Sequence, residues 1–281
     1  MPTKHPRGAR ALRSDLVRGA ALGTQLLDKV SLFCISMKVR IERYGESVRY
    51  IGIKCAPPER CWGKPFDGTE TPAEGIAKAI DRYENNICRA RSRVREYGLC
   101  NDWDYFATFT LNEEKQNRFD LAQWVKDFGN WIQNYKKKFG CSEFAYLIIP
   151  EQHKNGAWHA HGLLRGLAAA SLVKNEHGYL DLPYYANRFG YISLDPIKDK
   201  QKCASYITKY ISKDAGATAR ALQAGQHLYY NSRGLKGKEV IEEWEGDFIS
   251  DWENDFVKIR WLTMNEYLMK KGMIEIGARR K

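Results

Sequence analysis

The segment Phe144–Leu164 reads FAYLIIPEQHKNGAWHAHGLL. Its first seven residues are aromatic or aliphatic and close on Pro150, the composition of a buried strand. Lys154-Asn155-Gly156 then supplies a turn, and Asn-Gly between apolar runs is the strongest short-range hairpin signal. Trp158–Leu164 returns as the partner strand. Side chains alternate across a strand, so His159 and His161 leave one face while Ala160 points away. That places two imidazoles within reach of one ion. Hairpin pairing also brings the end of the first strand, with Glu151, alongside them. Two histidines and a carboxylate on neighbouring strands make a three-ligand site with open positions for water or phosphate. Gln152 and His153 are alternative third ligands, and at most one of Glu151 and Gln152 faces the ion.

Outward from the hairpin, the elements alternate in kind. Residues 38–54 alternate weakly around Gly45 and predict a hairpin. Residues 55–70 hold Pro57, Pro58, Pro65 and Gly68 and read as a loop. Thr71-Pro72-Ala73-Glu74 is a helix start, and that Arg-dense helix runs to Tyr97 with Gly98 as its stop. Tyr105–Leu111 is a strand. Residues 120–139 carry Leu121, Trp124, Val125, Phe128, Trp131, Ile132, Tyr135 and Phe139 at amphipathic helical spacing, and Gly140 ends the run. A strand at Gly190–Leu194 and a Lys-rich helix over 199–213 follow. The order predicts an α+β domain, an antiparallel sheet with helices on it.

On that last helix Tyr206 and Tyr210 are four apart, so both phenols emerge on one face. Lys209 and Lys213 repeat the spacing beside them. A phenol is a weak nucleophile near neutral pH, with a pKa of about 10. Adjacent cations and a metal-held electrophile favour its attack.

The chain has 281 residues with 45 Lys and Arg against 34 Asp and Glu, a formal charge of +11. From Glu242 to Asp255 there are seven acids and no base; removing their charge leaves +18 on the rest. Such an excess suits a polyanion. No apolar run approaches the roughly 20 residues of a membrane span. Seven cysteines, an odd number, argue for a reducing compartment. Cys55 and Cys61 have no zinc-knuckle spacing, and Cys34, Cys88, Cys100, Cys141 and Cys203 read as small core residues. The absence of a G-x-x-x-x-G-K-[ST] run means that no helicase motor is encoded here, so unwinding falls to the host.

Three motifs in order resemble the HUH endonucleases, in particular the rolling-circle replication initiators of small single-stranded DNA phages and plasmids. They are the hydrophobic-Thr strand Phe106–Asn112, the His159-Ala160-His161-Gly162-Leu163-Leu164 strand, and Tyr206-Ile207-Thr208-Lys209-Tyr210 as a two-tyrosine Y-x-x-K-Y helix. The resemblance covers about residues 105–214. It implies an RRM-like antiparallel sheet and a tyrosine that attacks a phosphodiester of single-stranded origin DNA, leaving a 5′-phosphotyrosine and a free 3′-OH. It further implies Mg²⁺ or Mn²⁺ at the histidine pair, Tyr206 as first nucleophile, Tyr210 as the second, and Lys209 on the phosphate or phenolate. Host helicase and polymerase are the expected partners, in the cytoplasm of a bacterial host and away from membranes.

The flanks divide into a basic arm over 1–36, which is alternatively sequence upstream of a start at Met37, a hairpin, loop and helix over 37–104, and a C-terminal extension over 215–281. In the extension, Trp244, Trp252 and Trp261 are expected to pack rather than bind DNA. His227–Leu235 reads equally as a base clamp or a packed loop. A relaxase or transposase of the same superfamily is a rival, disfavoured because relaxases usually carry the tyrosine before the histidine pair. A non-catalytic RRM-like binder of single strands is the second rival.

Overall fold

The computed structural model of the protein describes residues 37–54, 72–176, 178–212, 222–223 and 225–278, and of 72–80 and 273–278 it describes the backbone alone. The basic arm, the 55–70 loop and Lys213 lie outside the described residues, as do Cys34, Cys55 and Cys61.

The predicted first hairpin forms as β1 (Lys38–Tyr44) and β2 (Ser47–Ile53), turning at Gly45 with φ +58°. Helix α1 spans Pro72–Cys100 and β3 Tyr105–Thr110. Helix α2 (Leu121–Phe139) starts where Asp120 accepts a hydrogen bond from the Gln123 N–H, and it ends at left-handed Gly140. Strands β4 (Ala145–Gln152) and β5 (Trp158–Arg165) form the expected central hairpin. Beyond them come β6 (Val173–Lys174), β7 (Leu180–Asp181), the short α3 (Pro183–Ala186) and β8 (Ile192–Pro196). The Lys-rich segment follows as α4 (Lys200–Ile207) and α5 (Lys209–Ser212), and β9 is Tyr230–Asn231. Seven of these strands make one antiparallel sheet in the order β6-β7-β8-β3-β5-β4-β9.

Both faces of its centre are covered, which is why alternation decides so much. Ala107, Phe109, Ile148, Trp158, Ala160 and Leu164 meet Trp124, Phe128, Trp131 and Tyr135 of α2 on one side. Leu147, Ile149 and Leu163 meet Ala90 and Val94 of α1 and Ile207 and Ile211 of α4 and α5 on the other. Each fully buried large side chain contributes about 1.5–3 kcal/mol.

The flanks build a second sheet in the order β10-β1-β2-β12-β11, where β10 is Glu239–Glu245, β11 Trp252–Glu253 and β12 Val257–Thr263. Helix α6 (Met264–Ala278) follows β12, and its Tyr267 packs on Ile41 and Val48. The acidic segment lies partly in β10, where Glu243 faces Arg40 across the strands and pairs with it. Trp244 packs against Tyr50 and Trp261 against Tyr44, whereas Trp252, expected to pack, stays exposed.

Three further sequence expectations change. Helix α1 does not stop at Gly98, because that glycine marks a crossing rather than an end: a Cβ there would lie 2.9 Å from Ala204 Cβ of α4. The 199–213 helix is interrupted at Thr208, whose hydroxyl donates to the Ser205 carbonyl at 2.7 Å, a back-bond that bends helices. Cys88 is exposed on α1 rather than buried.

Glu42 of β1 is 1% exposed and is bound by Arg49 of β2, by Lys238 and by the Tyr44 hydroxyl. Burial alone would raise its pKa, but the hydrogen bonds from Lys238 and Arg49 outweigh burial and hold it below the usual value near 4.5. The stabilisation is complete above that value and is lost as pH falls through the lower folded-state value. Glu42→Gln is therefore expected to cost about 3 kcal/mol at neutral pH. Urea unfolding from pH 7 to pH 3 should show the gap to wild type closing only below about pH 4.5.

Gly98→Val should lower stability by about 1–3 kcal/mol through overpacking against Ala204. Gly129→Ala, inside α2 with nothing within 4 Å of the added methyl, should raise it by about 0.5–1 kcal/mol. Opposite shifts of the urea midpoint check the pair.

Candidate metal centre and tyrosine pair

Register assembles the site. Glu151 of β4 pairs directly with His159 of β5, and His161 lies two residues further along the same face. On the other side of β5, Thr108 of β3 pairs with His161 and Thr110 with His159. The result is a triangle: Glu151 Oε2, His159 Nε2 and His161 Nε2 are each 3.0 Å from the other two. Their side chains are only 14, 12 and 10% exposed.

That triangle fits a divalent cation. Donors about 2.1 Å from an ion and at right angles to one another lie about 3.0 Å apart, as on one face of an octahedron. The residues that could hold a metal ion are therefore Glu151, His159 and His161. Hydrogen bonds from His159 and then His161 hold the Glu151 carboxyl well below the usual carboxylate range, against the opposing effect of burial. It is ready as an anionic ligand at neutral pH.

The alternative third ligands go elsewhere. Gln152 donates from Nε2 to the Gly156 carbonyl at 3.0 Å. The His153 ring lies tilted against the His159 ring, with centroids 3.9 Å apart and planes at 37°, and burial, then His159, lower its pKa. The other ring nitrogen of His161, Nδ1, lies 3.3 Å from the Thr108 hydroxyl. Such an outer contact fixes the orientation of a ligating imidazole. This is the physical content of the hydrophobic-Thr strand: Ala107 and Phe109 enter the core, while Phe106 and Thr108 face the histidines.

The tyrosines arrive from the helical layer. Ile207 and Ile211 are 0 and 2% exposed and anchor α4 and α5 in the core. Their neighbours Tyr206 and Tyr210 are thereby held at the rim. Despite the break at Thr208, the hydroxyls meet, Tyr210 donating to Tyr206 at 2.8 Å. The Tyr210 ring stacks on His161, with centroids 3.7 Å apart and planes at 21°. Phe106 touches both phenol rings and His161, at 5.4, 6.2 and 6.0 Å. Burial first, then the bond to Tyr206, push the Tyr210 phenol well above its ordinary pKa. Tyr210 is thus a protonated donor, and Tyr206, 47% exposed, is the accessible oxygen. Lys209 Nζ stands 5.6 Å from the Tyr206 ring centre.

His227–Leu235 resolves toward packing: Tyr230 and Asn231 pair with β4 at the sheet edge, and Leu228, Tyr229 and Leu235 join the core beneath α1. Among the described residues no helix is long and apolar enough to cross a membrane.

Residues 104–215, the stretch that contains the triangle and both tyrosines, match the family model described as replication-associated protein ORF2/G2P. No curated protein and no solved structure matches the chain significantly. The family match covers less than half of the chain and supports a Rep-type replication initiator with DNA as its partner.

If Thr108 orients His161, Thr108→Val should weaken Mn²⁺ binding about tenfold or more in titration calorimetry. His159→Ala combined with His161→Ala should abolish it. Unchanged affinity in Thr108→Val would show that the hydroxyl does not set the ring.

Proposed function

We propose that the protein is a rolling-circle replication initiator that nicks single-stranded DNA at an origin through Tyr206. The observation that carries this reading is the direct stacking of Tyr210 on His161, which puts a tyrosine pair against a metal-fitting triangle of Glu151, His159 and His161. A core enzyme needs little more than these two parts.

In this reading the phosphodiester lies between the triangle and Tyr206. The Tyr206 oxygen forms a bond to phosphorus as the bond to the 3′-oxygen breaks. The phenol proton leaves, and the freed 3′-oxygen takes one up. One phosphate ester replaces another, so the reverse reaction religates the strand without ATP. A divalent cation bound at the triangle would neutralise and orient the phosphate. Mixed imidazole and carboxylate ligation suits Mn²⁺ better than Mg²⁺, which prefers oxygen ligands.

The residues of the chain divide the remaining work. Tyr210 donates to the Tyr206 oxygen and so favours its ionised form during attack. Lys209 offers a cation to the phosphate or the phenolate. Tyr210 is also placed for a second transfer, one turn away, while the first product is still attached. Host helicase and polymerase would supply unwinding and extension.

The test needs no knowledge of the origin. The protein is incubated with a random-sequence single-stranded DNA pool and Mn²⁺, and an SDS-stable protein–DNA adduct is expected, mapped by mass spectrometry to Tyr206. Tyr206→Phe should lose initial cleavage more completely than Tyr210→Phe, and the His159→Ala/His161→Ala double variant should lose nicking while still binding DNA. DNA binding without any adduct would overturn the nickase reading in favour of a non-catalytic binder.

A further inference from the structure

Beside Tyr206, and on the side away from the histidines, lies a cleft of about 840 Å³. One wall is α4 and α5 with the loop that precedes them, and the other is the second sheet, through Ser47, Trp261 and Leu262. Gln201 of α4 ties the walls together by donating to Ser47 Oγ at 3.1 Å. The cleft is continuous with the proposed reaction centre, since Phe106 and Tyr206 form part of its lining.

Its chemistry is that of a nucleotide. Arg95 of α1 lies over the Trp261 indole, 4.7 Å from the ring centre, and is exposed on its outer side. Among the described residues no carboxylate pairs with it. A guanidinium seated on an aromatic ring and open to the cleft is a stacking platform for a base. Lys198 and Lys209 stand in the lining without carboxylate partners among the described residues, suited to backbone phosphates. Three acids also line the cleft. Asp199 caps α4 and pairs with Lys202, and Glu266 accepts from the Thr263 N–H; with Asp195 they stand against Arg95, Lys198, Lys202 and Lys209, which leaves the lining a net charge of +1. The volume lies within the range of about 300–1,000 Å³ typical of small-ligand pockets, enough for one or two nucleotides.

We infer that this cleft receives an unpaired nucleotide of the single strand adjacent to the phosphate at Tyr206, its base against Arg95 and Trp261. The second sheet is thereby part of the DNA-binding surface rather than an appendage. The inference rests on the nickase reading only for the place of that phosphate; the binding of single-stranded DNA in the cleft stands apart from it.

The test therefore excludes catalysis. Full-length protein in EDTA is bound to a twenty-residue oligothymidylate carrying 4-thiothymidine, irradiated, and its crosslinked peptides are mapped. Crosslinks are expected at Trp261 or Arg95. Arg95→Glu should weaken binding about tenfold by fluorescence anisotropy, and Trp261→Ala should do likewise without any change of charge. Lys137→Glu, the same charge change as Arg95→Glu but on exposed α2, should change affinity less than twofold. Crosslinks confined to other surfaces, equal losses in Arg95→Glu and Lys137→Glu, or no binding of the oligonucleotide would each overturn the inference. A crosslink at Trp261 in a protein that forms no Mn²⁺-dependent adduct would sink the nickase reading alone and leave the cleft standing.

Discussion

The structure depends on one constraint: the period-two alternation of β5 in a sheet covered on both faces. Trp158, Ala160 and Leu164 are locked into the aromatic core under α2. Their opposites, His159, His161 and Leu163, are then committed to the other face. A slip of one residue would drive two imidazoles into an apolar core and expose a tryptophan. The packing of the far side of the sheet thus sets where the members of the triangle stand, and their mutual hydrogen bonds join them there. Its register partners, Glu151 and Thr108, inherit their places from the same pairing.

The same logic positions the tyrosines. Ile207 and Ile211 are the anchors, and each tyrosine sits one residue before its anchor. Gly98 lets α1 approach Ala204 closely enough for α4 to sit down on the sheet. Phe106 then closes the gap between the helix and His161, so that the metal-fitting atoms and the phenols share one aromatic cluster. The sheet and the helices packed on it hold the metal-fitting atoms and the phenols against one another.

Much of this was legible in the sequence where a local rule and a global one agree. The hairpin through Asn155-Gly156, the amphipathic α2 with its Asp120 and Gly140 ends, and the shared face of His159 and His161 all follow from periodicity and turn chemistry. So does the choice among Glu151, Gln152 and His153, up to the point where strand pairing decides it. What the sequence hides depends on distant packing. Gly98 looks like a helix stop because the neighbour that requires it, Ala204, lies more than a hundred residues away. Thr208 looks like an ordinary helical residue until its hydroxyl turns back on Ser205. The strands of the second sheet are short of apolar alternation because their exposed faces are charged, as in β10, where acids pair with arginines of β1.

That second sheet joins the two ends of the described chain and sets Trp261 beside the tyrosine helix. It gives a family-like core its own flank, one that resemblance over residues 104–215 does not cover. The proposed chemistry depends on the triangle binding metal where the register puts it. The most direct measurement is an anomalous difference map from a crystal soaked in Mn²⁺. The account predicts one strong peak bounded by Glu151 Oε2, His159 Nε2 and His161 Nε2. A map with no peak there at saturating Mn²⁺, or with the ion held by other residues, would contradict it.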